Sequence, residues 1–224
     1  MIVQSMTPKE VYRELDADME NITRWWSHKQ DELERKALKQ TKFPMMTWYE
    51  HTTPRKNRYL FLSVVFKRKY RNNSILCTLA LQKTSEGTVV HITKLSYQHL
   101  PCKMTFLPHA FDRYCQRAAV KKQGIDLIKH FFERNHMGEP TMDERFSGKS
   151  VRYKGRDNVC SCFPEGVMLG EYKDDVFVAH TFITYEDATG LQREEFEKKK
   201  GMILSPEEIS KQAREIYMNN YYNL

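Results

Sequence analysis

Long apolar runs are missing from this chain of 224 residues. No stretch approaches the roughly 20 consecutive apolar residues that a membrane-crossing helix needs, so no membrane partner is expected. The opening MIVQSMTPKE lacks the basic flank, apolar segment and small-residue cleavage site of a secretory leader. Cysteine is sparse and odd in number, five residues whose nearest pair is the C-S-C of Cys160 and Cys162. That spacing fits neither a disulfide framework nor a zinc ribbon; it suits free thiols in a reducing compartment, and the expectation is a cytoplasmic protein. The nine glycines build no phosphate-binding loop and no dinucleotide fingerprint, and H-E-x-x-H is absent. His91, His99 and His109 have neither metal-ligand spacing nor neighbouring carboxylates, so no metal and no cofactor are expected. Acids are nearly missing between residues 51 and 123, where only Glu86 and Asp112 occur.

That last scarcity leads to what is present. The same segment carries fourteen Lys or Arg, a local charge of +12, while the remainder holds 22 basic against 27 acidic residues. Charge runs are usually solubilising faces. A block of one sign on this scale also forms an electrostatic footprint for a polyanion, most commonly nucleic acid. The residues assigned to it are Arg55, Lys56, Arg58, Lys67, Arg68, Lys69 and Arg71.

With 40% apolar and 12% aromatic residues the chain is globular. Thr7-Pro8-Lys9-Glu10 is a capping box with proline in the first turn, opening a helical arm over residues 1–44. Val11, Leu15, Met19, Ile22, Trp26, Leu33 and Ala37 give it a narrow apolar stripe. Residues 7–40 therefore pack on the chain's own body, on a second copy or on a protein partner. Trp25-Trp26 could stack on bases, although an apolar anchor is the commoner use of such a pair. From 45 to 100 the period becomes two, giving a basic antiparallel sheet with strands near 59–66, 74–82 and 88–95. Residues 101–224 hold a pair of helices within 105–135, a polar connector, a three-stranded meander (158–163, 167–172, 176–184) and a C-terminal helix from Ser205 to about Asn219. The class expected is α+β, and the regions from 45 onward are read as one compact domain.

The chemistry-bearing stretch is FLPHAFDRYCQR, residues 106–117. Projected at about 100° per residue, His109, Arg113, Gln116 and Arg117 share one arc, opposite Ala110, Phe111, Tyr114 and Cys115. An ordinary wet face accounts for most such rows. Here the arginines lack obvious acidic partners one turn away. Arginine also clamps phosphate bidentately, and histidine exchanges protons near neutral pH. In the last strand, VFVAHTFIT, either His180 or Thr181 could face a site.

A helix reading H-x-x-x-R-x-x-x-R, then a second helix and an antiparallel meander, resembles the barnase–EndoU–colicin–RelE group of ribonuclease toxins over residues 104–185. The resemblance implies that His109, Arg113 and Thr181 meet over a scissile phosphate, with Arg117 as a second clamp. It further implies metal-independent RNA cleavage, in which the 2′-hydroxyl attacks its own phosphate, His109 moves a proton and the arginines stabilise the phosphorane. Three functions stand at this point: an RNA-binding or RNA-cleaving protein, RNA being favoured over DNA; a mobile-element accessory protein that binds nucleic acid without turnover; and an adaptor that engages an acidic partner or uses its N-terminal helix.

Overall fold

The computed structural model describes residues 1–72, 74–95, 103–135, 139–142 and 158–200. In chain order its elements are α1 (Pro8–Asp16), α2 (Met19–Lys39), β1 (Met45–Thr52), β2 (Arg58–Val65), a single 3-10 turn (Arg68–Tyr70), β3 (Ile75–Thr84), β4 (Gly87–Leu95) and β5 (Met104–Phe106). They continue with α3 (Pro108–Arg117), α4 (Gly124–Arg134), β6 (Glu139–Met142), β7 (Asn158–Phe163), β8 (Gly166–Lys173), β9 (Val176–Ile183) and α5 (Leu191–Lys200). The mixed α+β class follows directly. Among the described residues no helix is long and apolar enough to cross a membrane.

The strands form one sheet in the order β1-β2-β3-β4-β5-β9-β8-β7-β6. Every pairing is antiparallel except β5 with β9. Periodicity alone predicts two separate sheets with helices between them. What joins them is β5, only three residues long (MTF), which accepts β4 on one side and β9 on the other. Three residues are too few for an alternating pattern to show, so its pairing is tertiary information. Residues 139–142, expected as connector, form β6 instead. The C-terminal helix expected from Ser205 lies outside the described residues.

Period two buries both faces of the sheet. One face carries Leu60, Leu62, Leu79, Val90, Phe106, Phe177 and Phe182, and packs against Phe111 and Tyr114 of α3 and Ile128, Phe131 and Phe132 of α4. The other carries Tyr49, Tyr59, Phe61, Ala80 and Val178 under Val11, Tyr12 and Leu15 of α1 and Ile22, Leu33 and Ala37 of α2. Phe196 of α5 covers Cys160, Cys162 and Val167 on that second side. The apolar stripe of residues 7–40 is thus spent on the chain's own sheet.

The arm is two helices and not one. It breaks at Ala17-Asp18, where Asp18, 1% exposed, turns its carboxylate into the sheet and accepts from Asn57 Nδ2 (2.6 Å) and Tyr59 Oη (2.9 Å). A continuous helix would keep that side chain on the helix surface. Thr7 and Glu10 form the capping box that opens α1.

Candidate nucleic-acid interface

The helix that opens the chemistry-bearing stretch is α3, with Pro108 in its first turn and Ala110, Phe111 and Tyr114 buried. Its other side is the expected polar row, held together by its own hydrogen bonds. Arg113 Nε donates to His109 Nε2 (3.2 Å) and Arg113 Nη1 donates to Gln116 Oε1 (3.1 Å). In this arrangement His109 Nε2 faces Arg113 as the acceptor of its Nε–H.

Arg117 leaves this row. Its Nη1 donates to the carbonyl oxygen of Phe182 (2.6 Å), and its Nε lies 3.9 Å from Asp187 Oδ2. β5 pairs with β9 only as far as Ala179, so the Phe182 carbonyl beyond it has no partner from β5. The guanidinium caps that carbonyl, which makes Arg117 a fastener between α3 and β9.

Thr181 is separated from the row by the sheet. The register between β8 and β9 slips at Leu169/Gly170, so that Leu169 pairs with Thr181 and Gly170 with Ala179, leaving His180 as the extra residue. The close approach requires glycine: a Cβ at Gly170 would sit 2.0 Å from the Val178 carbonyl oxygen. The slip reverses the alternation expected for VFVAHTFIT. Ala179 and Phe182 both face α3 and α4, whereas Thr181, opposite Leu169, shares the α5 side with Ile183. His180 Nε2 pairs with Glu171 Oε1 at 3.2 Å. His109 and Arg113 come together; Thr181 does not join them.

The basic block divides as well. Arg55, Lys56 and Arg58 lie at the β1–β2 hairpin, whereas Lys67, Arg68, Lys69 and Arg71 follow the far end of β2. Eight residues of strand separate them, roughly 25 Å at about 3.3 Å per residue. At the hairpin the charge is largely consumed. Arg55 binds the carboxylate of Glu14 with Nε (2.9 Å) and Nη2, and Arg58 Nη2 binds Glu50 (3.0 Å). The guanidinium of Arg55 and the other donors around Glu14 hold that carboxyl at about 2, well below the ordinary value.

At the other end the charge accumulates. Arg68 Nη2 donates to the carbonyl oxygen of Gln40 (2.7 Å), drawing the basic turn onto the C-terminus of α2, where Lys39 and Lys42 are exposed. Among the described residues no carboxylate lies within ion-pair distance of Lys39, Lys42, Arg68, Lys69 or Arg71. The half-buried ring of Tyr70 lies in the same turn, with Lys69 Nζ 4.8 Å from its centroid. Sequence reasoning missed Lys39 and Lys42 because they belong to an arm whose net charge is small. Their only signal was the three-residue recurrence Lys36, Lys39, Lys42.

A second polar cluster also escaped the sequence. Glu165, in the β7–β8 turn, accepts from Tyr114 Oη (2.6 Å), Asn135 Nδ2 (2.9 Å) and the Arg134 guanidinium. Burial pulls its pKa upward, and the three donors more than offset this, leaving it below the ordinary value. With every oxygen occupied the cluster ties the turn to α4. Among the described residues no group of three His, Cys, Asp or Glu could hold a metal ion.

No protein-family model matches the chain, and no curated protein and no solved structure is significantly similar to it.

Proposed function

We propose that this protein binds nucleic acid, RNA in preference to DNA, on the surface formed by the α2 C-terminus and the β2–β3 connection. One observation carries the reading: the Arg68–Gln40 hydrogen bond brings together two basic segments, Lys39/Lys42 and Arg68/Lys69/Arg71, whose cations have no carboxylate within ion-pair distance among the described residues. Cations without carboxylate partners keep their full attraction for phosphates, and neutralising phosphates releases counterions. Tyr70 offers a ring for base stacking beside them. The preference for RNA rests on the resemblance of residues 104–185 to ribonuclease toxins. Turnover at His109 and Arg113, with Thr181 as hydroxyl donor, is not part of the reading, since the sheet stands between them. An acidic protein partner on the same surface is the alternative.

The test compares the two halves of the basic block. Replacing Lys39, Lys42, Arg68, Lys69 and Arg71 by glutamine should cut affinity for a single-stranded RNA and flatten the salt dependence by about 0.7 for each phosphate no longer neutralised. Replacing Arg55, Lys56 and Arg58 should change binding far less. Equal effects from the two sets, or none from the first, would reject the surface. Weaker binding to DNA of the same length supports the RNA preference, and incubation in EDTA with intact RNA recovered separates binding from cleavage.

A further inference from the structure

The two ends of the sheet are built differently. β6, at one end, has four residues and contains Pro140, which has no N–H to offer a further strand. Short length and proline are the usual means of blunting an edge. β1, at the other end, runs for eight residues in unbroken register with β2, with no bulge, no proline and no Lys or Arg. Its single charge, Glu50, is half exposed and paired with Arg58 (3.0 Å) and Lys129 (3.2 Å). Among the described residues nothing bonds to its outer backbone groups, and Met46 beside them is 36% exposed.

Which groups point outward follows from the hairpin. Thr53 N–H donates to the Asn57 carbonyl (3.0 Å), so that pair is of the hydrogen-bonded kind. Antiparallel alternation then turns the N–H and C=O of residues 51, 49, 47 and 45 toward β2. The outward groups are those of Met46, Trp48, Glu50 and Thr52.

We propose that β1 is the interface of a two-fold dimer, pairing antiparallel with β1 of a second copy, Trp48 opposite Trp48 and Met46 opposite Glu50. This register satisfies the outward groups of residues 46, 48 and 50 on both strands, and keeps side chains of one sheet face on the same side. It sets the two indoles side by side, an arrangement that stabilises strand pairs. It places the two Glu50 side chains four residues apart, roughly 13 Å along the strand. The alternative, β1 against β6 of the next molecule, would propagate into a filament. Pro140 opposes that contact, so the assembly closes at two, with a blunted β6 at each outer end.

The experiment is mass measurement by light scattering over a concentration series, alongside amide exchange of Met46, Trp48 and Glu50. Two 26.7 kDa chains per particle, with these three amides slowing as dimer forms, is the expected result. Met46→Pro removes one outward N–H per chain at an edge position that tolerates proline. Met46→Glu sets acid against Glu50 twice per dimer and should raise the dissociation constant at least about tenfold, whereas Met46→Lys should preserve the dimer. Circular dichroism checks that each variant folds; should Met46→Pro not fold, the charge pair and the exchange data decide. A monomer at every concentration overturns the proposal and leaves the edge to a strand of another protein. A dimer indifferent to Met46→Glu, or weakened equally by Met46→Lys, also overturns it.

Discussion

Both faces of the sheet are packed with rings, and they differ in how deeply their polar fasteners are buried. Toward α3 and α4 the contacts are rings: Phe131 meets Phe111, Tyr114, Phe132, Phe163 and Phe182 with centroids 4.9–6.4 Å apart, mostly edge-on. Toward α1 and α2 the apolar packing is pinned by polar anchors. Tyr12 Oη lies 2.6 Å from the Met104 carbonyl oxygen, Asp18 is gripped by Asn57 and Tyr59, and buried His91 bridges Thr105 (2.9 Å) and Gln82 (3.0 Å). Where polar groups serve as anchors, charge is taken up within the fold, as with Arg55. Around α3 and α4 the polar fasteners sit at the margin of the rings, Tyr114 Oη on Glu165 and Arg117 on the Phe182 carbonyl oxygen, while, within the described residues, His109, Arg113 and Gln116 bond only among themselves.

The largest effect should come from the ring face. Phe131→Ala should cost about 3–5 kcal/mol, the usual range for an emptied aromatic site, read as a lowered denaturant midpoint. A loss below about 1 kcal/mol would show the pile to be loosely packed. On the anchored face, Asp18→Ala leaves the Tyr59 hydroxyl buried without its acceptor and the Asn57 amide with only its longer bond to Glu14 (3.3 Å), at about 1–3 kcal/mol. The double variant with Tyr59→Phe should lose less than the sum of the singles, because it removes one orphaned hydroxyl.

Acid should separate the faces next. Burial lowers the pKa of His91 from 6.5 to about 3, so the folded chain keeps it neutral. The unfolded chain takes up the proton sooner, and stability present above about pH 6.5 is lost as the pH falls toward 3. Between pH 7 and pH 5 this amounts to about 2 kcal/mol, and His91→Gln should flatten that portion of the urea-midpoint profile. A profile unchanged by the substitution would mean that His91 is not the group responsible.

Smaller effects belong to α3. Arg117→Ala uncovers the Phe182 carbonyl and should cost about 1 kcal/mol, with faster amide exchange near β9. His109→Ala and Arg113→Ala should each stay within about 0.5 kcal/mol, since they remove surface bonds only. If either matches Arg117→Ala, the row is a structural brace and not a free polar surface.

Much of this architecture was legible from periodicity. The amphipathic arcs of α3 and α4, the meander β7–β9 and the capping box of α1 all express local preference, and local preference survives folding. Among the features that were not legible, three have distinct physical reasons. β5 is too short to leave a pattern. The break at Asp18 depends on acceptor-seeking groups nearly forty residues away in Asn57 and Tyr59. The slip at Gly170, which moves Thr181 across the sheet, depends on the pairing of two strands and not on either one.

The sequence by itself determined the mixed α+β class, the polar row of His109, Arg113 and Gln116, and the excess of positive charge between residues 51 and 123. Only the tertiary structure decided which charges remain free of partners. Arg55 and Arg58 found carboxylates; Arg68 found the end of a helix and gathered Lys39 and Lys42 beside it. The physical reason is that composition fixes how many charges a chain carries, whereas pairing depends on separations of a few ångströms that only the folded backbone sets.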